Sequence, residues 1–339
     1  MSRSIEKEFH RQPQITLQMK LTSEQYAALK EWSESVPTLY FLDICVVNAT
    51  KLSGIALERD ARKAKLIDHL RDLDRPQHSF SYLFALIEKV SDSQGSLSDA
   101  ELEKQVLADV AALRAFFKDA HVQEPDNFLV TYLRELRRVP PELMRPHYLK
   151  FLETANNQFA LQNPVSPMLR FRRAEEILKE ADALSVARQH PVVLLTLACL
   201  YGNTSAKKLM KFKADAENFN AENALADIMA ISRFARFKLE IEHLGRQGSA
   251  KYFRSEFITD DDGLLGVLKC FEAQAVKFEE KGDAHETRID ISVNLEQLLT
   301  DLAAKRRDKP QETENLTKRK PDEYEQVCNL LTQAPDNAL

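Results

Sequence analysis

Acidic side chains set in apolar surroundings are the residues of this chain best suited to chemistry, because a carboxylate taken out of water must find a cation or strong donors. Four segments hold one. Asp43 closes the first half of Leu39-Tyr40-Phe41-Leu42-Asp43-Ile44-Cys45-Val46-Val47, an apolar, β-prone run. Glu88 lies in Phe80-Ser81-Tyr82-Leu83-Phe84-Ala85-Leu86-Ile87-Glu88-Lys89-Val90, which is apolar nearly all the way round, as a buried helix is. Asp227 follows Asn223 by one helical turn on a shared face, an amide placed to support a carboxylate ligand. Asp260, Asp261 and Asp262 follow Phe257-Ile258-Thr259 and precede Gly263-Leu264, at the carboxyl end of a predicted short strand, the edge where open α/β sheets bind ligands. Three adjacent carboxylates repel one another, so some are protonated, exposed or neutralised by a cation. Each segment also has an ordinary reading: a strand-end salt bridge for Asp43, lysine pairing at a solvated helix end for Glu88, dipole complementation for Asp227, and an acidic turn for the triple.

Delivered to one sheet edge, these carboxylates would form an oxygen-rich site suited to Mg²⁺ or Mn²⁺, hard cations that activate water and stabilise the leaving oxygen of a phosphodiester. Substrate contact then needs local positive charge. Arg134, Arg137 and Arg138 share a helix face, Arg170, Arg172 and Arg173 surround Phe171, Lys207, Lys208, Lys211 and Lys213 follow Tyr201-Gly202-Asn203, and Arg233, Arg236 and Lys238 follow Asp227 on its own helix. Such groups track a phosphate backbone while Phe171 or Tyr201 stacks on a base, or they are plain solvated helix faces. None of the eight histidines has metal-ligand or triad spacing, and His78 reads as a local cap or core residue. No Walker-type or dinucleotide-type glycine loop is present.

The elements that must position these residues follow from periodicity. Thr38 to Val47, Pro191 to Leu200 and Glu256 to Thr259 are short β-prone runs interleaved with amphipathic helices, the pattern of an α/β sheet. Alternation in Gln14 to Leu21 and in Arg288 to Leu295 predicts two more strands, paired in one sheet, and Thr22 with Gln25 predicts a capping box opening a helix. From about Ser98 to Arg188 the pattern is helical, broken by Pro140-Pro141, Pro146, Pro164 and Pro167, with no strand expected. Lys305 to Lys320 reads as a charged mobile tail, with a short docked helix over Tyr324 to Leu331.

The 339 residues carry 44% hydrophobic side chains and only 8 Gly, which excludes wholesale disorder and disfavours a chain built mainly of tight turns. The net charge of −5, from 47 Lys and Arg against 52 Asp and Glu, provides no overall positive field for nucleic acid, so a polyanion needs a local patch. Cys45, Cys199, Cys270 and Cys328 fit neither a disulfide framework nor a zinc pattern and read as reduced thiols. With no apolar run long enough to span a bilayer and a polar Met1 to Lys20, a cytoplasmic location and no membrane partner are expected.

In order and flanks the four acidic segments resemble the PIN-like nuclease family: Tyr40-Phe41-Leu42-Asp43 as the first strand's end, Glu88 in the next helix, Ala226-Asp227-Ile228-Met229-Ala230, and the Thr259-Asp260-Asp261-Asp262-Gly263-Leu264 turn. The resemblance implies a three-layer α/β domain with a mainly parallel sheet over 37–95 and 190–295, elaborated by a helical insertion at 96–189, an N-terminal strand-helix extension at 1–36 and a C-terminal helix and tail at 296–339. It implies a Mg²⁺- or Mn²⁺-dependent endonuclease, most often acting on RNA and less often on single-stranded DNA. Asp43, Glu88, Asp227 and Asp261 would be the catalytic metal ligands and Asp260 and Asp262 auxiliaries. Asn223, Thr259 and Asn48 would support them, and Lys207, Lys208, Lys211, Arg233 and Arg236 would contact nucleic acid. An inhibitory protein partner or a homo-oligomer is compatible with a toxin-like or defence-associated nuclease. The alternative is a non-catalytic scaffold that binds a protein partner through the helical insertion. Ile44 and Cys45 favour it, standing where the family carries a small hydroxyl residue and then Asn or Ser.

Overall fold

A computed structural model describes residues 20–92, 97–139, 142, 144–281, 284–307 and 321–333. The chain divides into two units, Met1–Val36 and Pro37–Leu339. In the first, helix α1 (Ser23–Ser35) opens on the expected capping box, in which the Thr22 hydroxyl accepts from the Gln25 N–H at 3.2 Å and the Gln25 side chain accepts from the Thr22 N–H at 3.0 Å. Most of the strand expected over Gln14 to Leu21 lies outside the described residues; Lys20 and Leu21 have no regular structure.

The second unit begins with β1 (Thr38–Leu42), buried at all five positions, which is why it reads as an unbroken apolar run. The expected strand to Val47 is cut short: the chain leaves the sheet at Asp43 and turns into α2 (Ile44–Ala49). Helices α3 (Gly54–Arg59) and α4 (Ala61–Asp72) lead to β2 (Ser79–Ser81), a three-residue strand in a segment whose sequence reads as the start of a helix. Then come α5 (Leu83–Asp92) and α6 (Asp99–Phe116). The two-residue strand β3 (His121–Val122) follows, where only helix was expected. Helices α7 (Asp126–Arg138), α8 (Arg145–Gln158) and α9 (Pro167–Ala183) come next.

Pro191–Leu200, expected as a strand, is helix α10. Every residue after Pro191 in it is buried, so it shows no polar face, and a short apolar run of this kind does not distinguish strand from buried helix. Pro191 starts the helix with its missing N–H where none is needed, and His190 caps it. The chain continues through α11 (Thr204–Met210), the 26-residue α12 (Ala221–Arg246), β4 (Arg254–Ile258) and α13 (Asp262–Leu268). Strands β5 (Phe271–Lys281) and β6 (Ala284–Val293) form a separate antiparallel hairpin, in which the strand expected over Arg288 to Leu295 runs to Val293 and pairs with its sequence neighbour; its expected partner, Gln14 to Leu21, lies mostly outside the described residues. Helices α14 (Leu295–Leu298), α15 (Thr300–Arg307) and α16 (Glu323–Thr332) complete it, the last covering the expected docked helix. Lys305 to Arg307 belong to α15, and the rest of the expected tail, 308–320, lies outside the described residues.

The result is a mixed α/β structure with a four-stranded, wholly parallel sheet in the order β3-β2-β1-β4. Side chains of β1 alternate between two cores: Leu39 and Phe41 enter one built from α8 to α12, Tyr40 and Leu42 the other with α2 and α4 to α7. The helical segment 96–189 contributes to both, Leu102, Val106 and Leu113 to the second and Phe151, Leu152 and Ile177 to the first. Among the described residues no helix is long and apolar enough to cross a membrane.

Candidate functional site

Strands β1 and β4 run side by side in parallel, with Leu42 level with Ile258, and both end at the same edge. From β1 the chain moves to β2 on one side while β4 joins on the other, so the carboxyl ends of β1 and β4 flank the point where the strand order reverses. In open α/β sheets that crevice is where ligands bind. Asp43 and Thr259-Asp260-Asp261-Asp262 are the residues the two strands deliver there.

Asp43 is buried, and its backbone N–H continues the ladder to the Ile258 carbonyl at 3.1 Å. It stands at the N-cap of α2, yet its side chain makes no capping bond. Instead Oδ2 accepts from the Thr259 hydroxyl and from the Cys45 thiol, Sγ to Oδ2 being 3.3 Å. Thr259 Oγ1 in turn accepts from the Asp261 N–H at 3.0 Å, and Cys45 Sγ from the Asp260 N–H at 3.3 Å. One hydroxyl and one thiol thus tie the first acid to the aspartate turn. Burial, reinforced by the Asp43 carboxylate, pushes the Cys45 thiol up to about 12, so it stays a protonated donor at neutral pH.

Asp261 caps α13, its Oδ1 accepting from the Leu264 N–H at 2.9 Å, which leaves Oδ2 directed elsewhere. That oxygen lies 3.6 Å from Lys211 Nζ, and the same ammonium is 3.8 Å from Asp227 Oδ2. Asn223 donates from Nδ2 to Asp227 Oδ2 at 3.3 Å, the amide support that the four-residue spacing predicts. Glu88, on α5, accepts at Oε2 from the N–H of Ile44, next to Asp43, at 3.4 Å. Asp43, Glu88, Asp227 and Asp261 therefore belong to one chain of contacts at the sheet edge, although Lys211 stands between the last two. Among the described residues no three Asp, Glu, His or Cys side chains are gathered closely enough to hold a metal ion as they stand.

The flanking aspartates behave differently. Asp260 is gripped by Arg62 Nε at 2.6 Å and by Lys63 Nζ, and Arg62 also reaches Asp262 at 2.9 Å and 3.1 Å. Partial burial opposes ionisation of Asp260, but the hydrogen bonds from Lys63 and Arg62 outweigh it and hold its carboxyl below the usual range. Both auxiliaries are thus neutralised by protein cations. Arg62 and Lys63 were not singled out in the sequence, because their partners lie about 200 residues away in the chain. They occupy the first turn of α4, where the helix dipole disfavours positive charge and a nearby acid offsets it.

Of the remaining expected residues, Lys208 and Lys211 are exposed beside the site, Lys208 Nζ lying 4.0 Å from Asp262, and Lys207 is half-buried on the same helix. Arg233 and Arg236 lie about 9 and 14 Å further along α12 than Asp227. Arg233 is paired with the buried Glu142, and Arg236 with Glu240 at 2.8 Å. Tyr201 is fully buried and has no face to offer a base, which corrects that expectation; Phe171 packs against the first core. Asn48 is exposed on α2. His78 is a core residue whose Nδ1 accepts from the Thr38 N–H at 3.3 Å. No protein-family model, curated protein or solved structure matches this chain.

Proposed function

We propose that the chain is a metal-dependent endonuclease with a PIN-like site, cleaving RNA or, less favourably, single-stranded DNA. The observation that carries this reading is the chain of contacts, through Ile44, Thr259 and Lys211, that links Asp43, Glu88, Asp227 and Asp261 beside the strand-order reversal of a parallel sheet; the four come from distant segments and would have to draw closer around an ion. The donor set suits a hard cation. It is all carboxylate oxygen, the ligand type that hard cations take. Asp43, Asp227 and Asp261, with Glu88, would hold Mg²⁺ or Mn²⁺, which when bound supplies an activated water and charge stabilisation at phosphorus. Thr259 and Cys45 orient Asp43, Asn223 orients Asp227, and Lys208 offers a cation to the phosphate backbone.

Asn replaces Asp at the N-cap of a helix with little loss, so Asp261→Asn keeps α13 while removing a charge. Asp43→Asn and Asp261→Asn are each expected to lower Mg²⁺- or Mn²⁺-dependent cleavage of a labelled single-stranded RNA by at least about a hundredfold, with an unchanged circular dichroism spectrum. Retention of full cleavage by both variants would refute the assignment.

A second reading, a non-catalytic scaffold for a protein partner, is favoured because among the described residues no acids are gathered into a group that could hold a metal, and because Arg62 and Lys63 neutralise Asp260 and Asp262. Melting with Mn²⁺ and then with chelator separates the two, because an ion bound only by the folded chain must raise the melting temperature.

A further inference from the structure

Arg134, Arg137 and Arg138 gather around an open recess of about 560 Å³ at the carboxyl end of α7, where the lining, among the described residues, is completed by Asp99 at the start of α6. The dipole at the end of a helix attracts cations, which accounts for Arg137 and Arg138 in the last turn but not for Arg134 before it. Two of the three are anchored. Arg134 makes a two-point bond to Glu103, from Nε at 2.6 Å and from Nη2 at 3.1 Å. Arg137 donates from Nε to Asp99 at 3.1 Å and from Nη2 to the Leu97 carbonyl. Arg138 differs: it is exposed and, among the described residues, is paired with no acid. Three guanidinium groups against two acids leave the cluster one positive charge in excess, and each guanidinium carries five N–H donors, more than these bonds consume.

The rest of the helix extends the same surface. Leu129, Leu133 and Leu136 form the buried stripe of α7, and its solvent face carries Phe128, Thr131, Arg134 and Arg138 at spacings of three and four. The Phe128 ring is stacked on Tyr132, with centroids 5.7 Å apart, and stays 44% exposed. From Phe128 to Arg138 the helix rises about 15 Å, a length that several nucleotides cover. Phosphate is the anion that suits this lining. A planar fork of N–H groups meets its oxygens two at a time, and the cluster is arginine throughout. A basic track with an exposed aromatic face beside it is the combination that holds single strands.

We infer that the recess of Arg134, Arg137 and Arg138 is a phosphate-binding subsite for a single-stranded nucleic acid, with Arg138 making the principal contact and Phe128 stacking on a base further along the strand. It rests on the nucleic-acid ligand proposed above and needs no metal ion.

The test is fluorescence anisotropy of a short labelled oligouridylate, titrated with the full-length chain in chelator so that no cleavage intervenes, over a series of salt concentrations. Arg138→Gln removes a charge that holds no acid, so the fold should persist, as an unchanged urea midpoint checks. The variant is expected to weaken binding by about five- to tenfold and to lower the slope of log affinity against log salt by about 0.7, the share of one phosphate of a single strand. Arg138→Lys should keep the wild-type slope. Phe128→Ala should weaken binding by about tenfold with the slope unaltered. Glu103→Gln frees the fork of Arg134 and should tighten binding by about threefold, whereas an ion pair of purely structural use would yield lower stability and no gain. Unchanged affinity and slope in Arg138→Gln, or no binding by wild type, overturns the subsite. Displacement of the strand by poly-glutamate as readily as by unlabelled oligouridylate overturns it too, and points to an acidic protein ligand instead. Binding through Arg138 with no cleavage when Mn²⁺ is added sinks the nuclease reading and leaves the subsite standing. Cleavage that requires Asp43, with Arg138→Gln altering neither rate nor strand affinity, does the reverse.

Discussion

Cys45 illustrates how a single side chain can serve the site without taking part in chemistry. Its thiol donates to Asp43 and accepts from the backbone of Asp260, so one atom fixes the spacing between the two strand ends. With the thiol pushed up to about 12, by burial first and by Asp43 second, almost no thiolate exists near neutrality. Alkylation by iodoacetamide at pH 8 is therefore expected to be far slower at Cys45 in the folded chain than in denaturant, as read by mass spectrometry of the Cys45 peptide. Equal rates would mean that the thiol is neither buried nor hydrogen-bonded as described. Cys45→Ser keeps a donor and an acceptor and is expected to change stability little. Cys45→Ala strands the Asp260 N–H and is expected to cost about 1 kcal/mol in urea denaturation. In the sequence this residue registers only as a departure from a family pattern; its use as a bridge depends on Asp260, which is remote in the chain.

Among the elements, α12 and β4 bear most directly on the site, since one carries Asp227 and the other leads into Thr259. The segment leading into β4 passes close to α12 at Gly245, where an added Cβ would stand 2.0 Å from the Tyr252 carbonyl oxygen. Alanine usually improves a helix, but here the obstacle is backbone and must shift. Gly245→Ala is therefore expected to destabilise the protein by about 1–3 kcal/mol, measured by thermal melting. Gly54→Ala, with nothing within 4 Å of the added carbon, is the matched control and should be neutral or stabilising. The same scale shows what the sequence could disclose. β1 was legible because a central parallel strand is apolar on both faces, although the apolar residues of α2 carried the expected strand past its end to Val47, and α1 was legible because its cap is local. α10 was misread because burial on all sides erases the helical period, and β2 because three residues are too few to carry an alternation. The acids could be picked out by their apolar flanks and Lys211 as one of a basic cluster, whereas Arg62 was passed over and neither pairing, Arg62 with Asp260 or Lys211 with Asp227, could be read, since both are made only by the folded chain.

For the molecule as a whole, acid sensitivity should come in two stages. Burial lowers His190 from its ordinary value near 6.5 to about 4, and its Nδ1 must remain unprotonated to accept from the Val192 N–H at 3.2 Å. The unfolded chain takes up this proton below about pH 6.5 while the folded chain resists until about pH 4, so stability is complete above that window and drains away as pH falls through it, by on the order of 2 kcal/mol. Asp260 and Asp109 are held below the ordinary carboxylate range, in each case because bonds to lysine and other donors outweigh burial. Their contribution is present above the unfolded carboxylate pKa and is lost as pH falls through the lower folded values. Urea midpoints at pH 7.5, 5.5, 4.5, 3.5 and 2.5 should show both stages. His190→Ser keeps a helix cap without the titration and should erase the first; an unaltered profile in that variant would exclude His190 as its source.

The placement of β4 also has a consequence for how the protein is made. β1 is paired with β2 soon after synthesis, but its other edge waits for β4, and the two residues that lock these strand ends, Asp43 and Thr259, are 216 positions apart. At cellular elongation rates of about 5–20 residues per second, that edge stays open on the ribosome for roughly 10 to 40 s. Throughout that interval a buried-type strand offers unsatisfied amides and carbonyls to any passing chain, so the nascent protein gains from being shielded until β4 emerges.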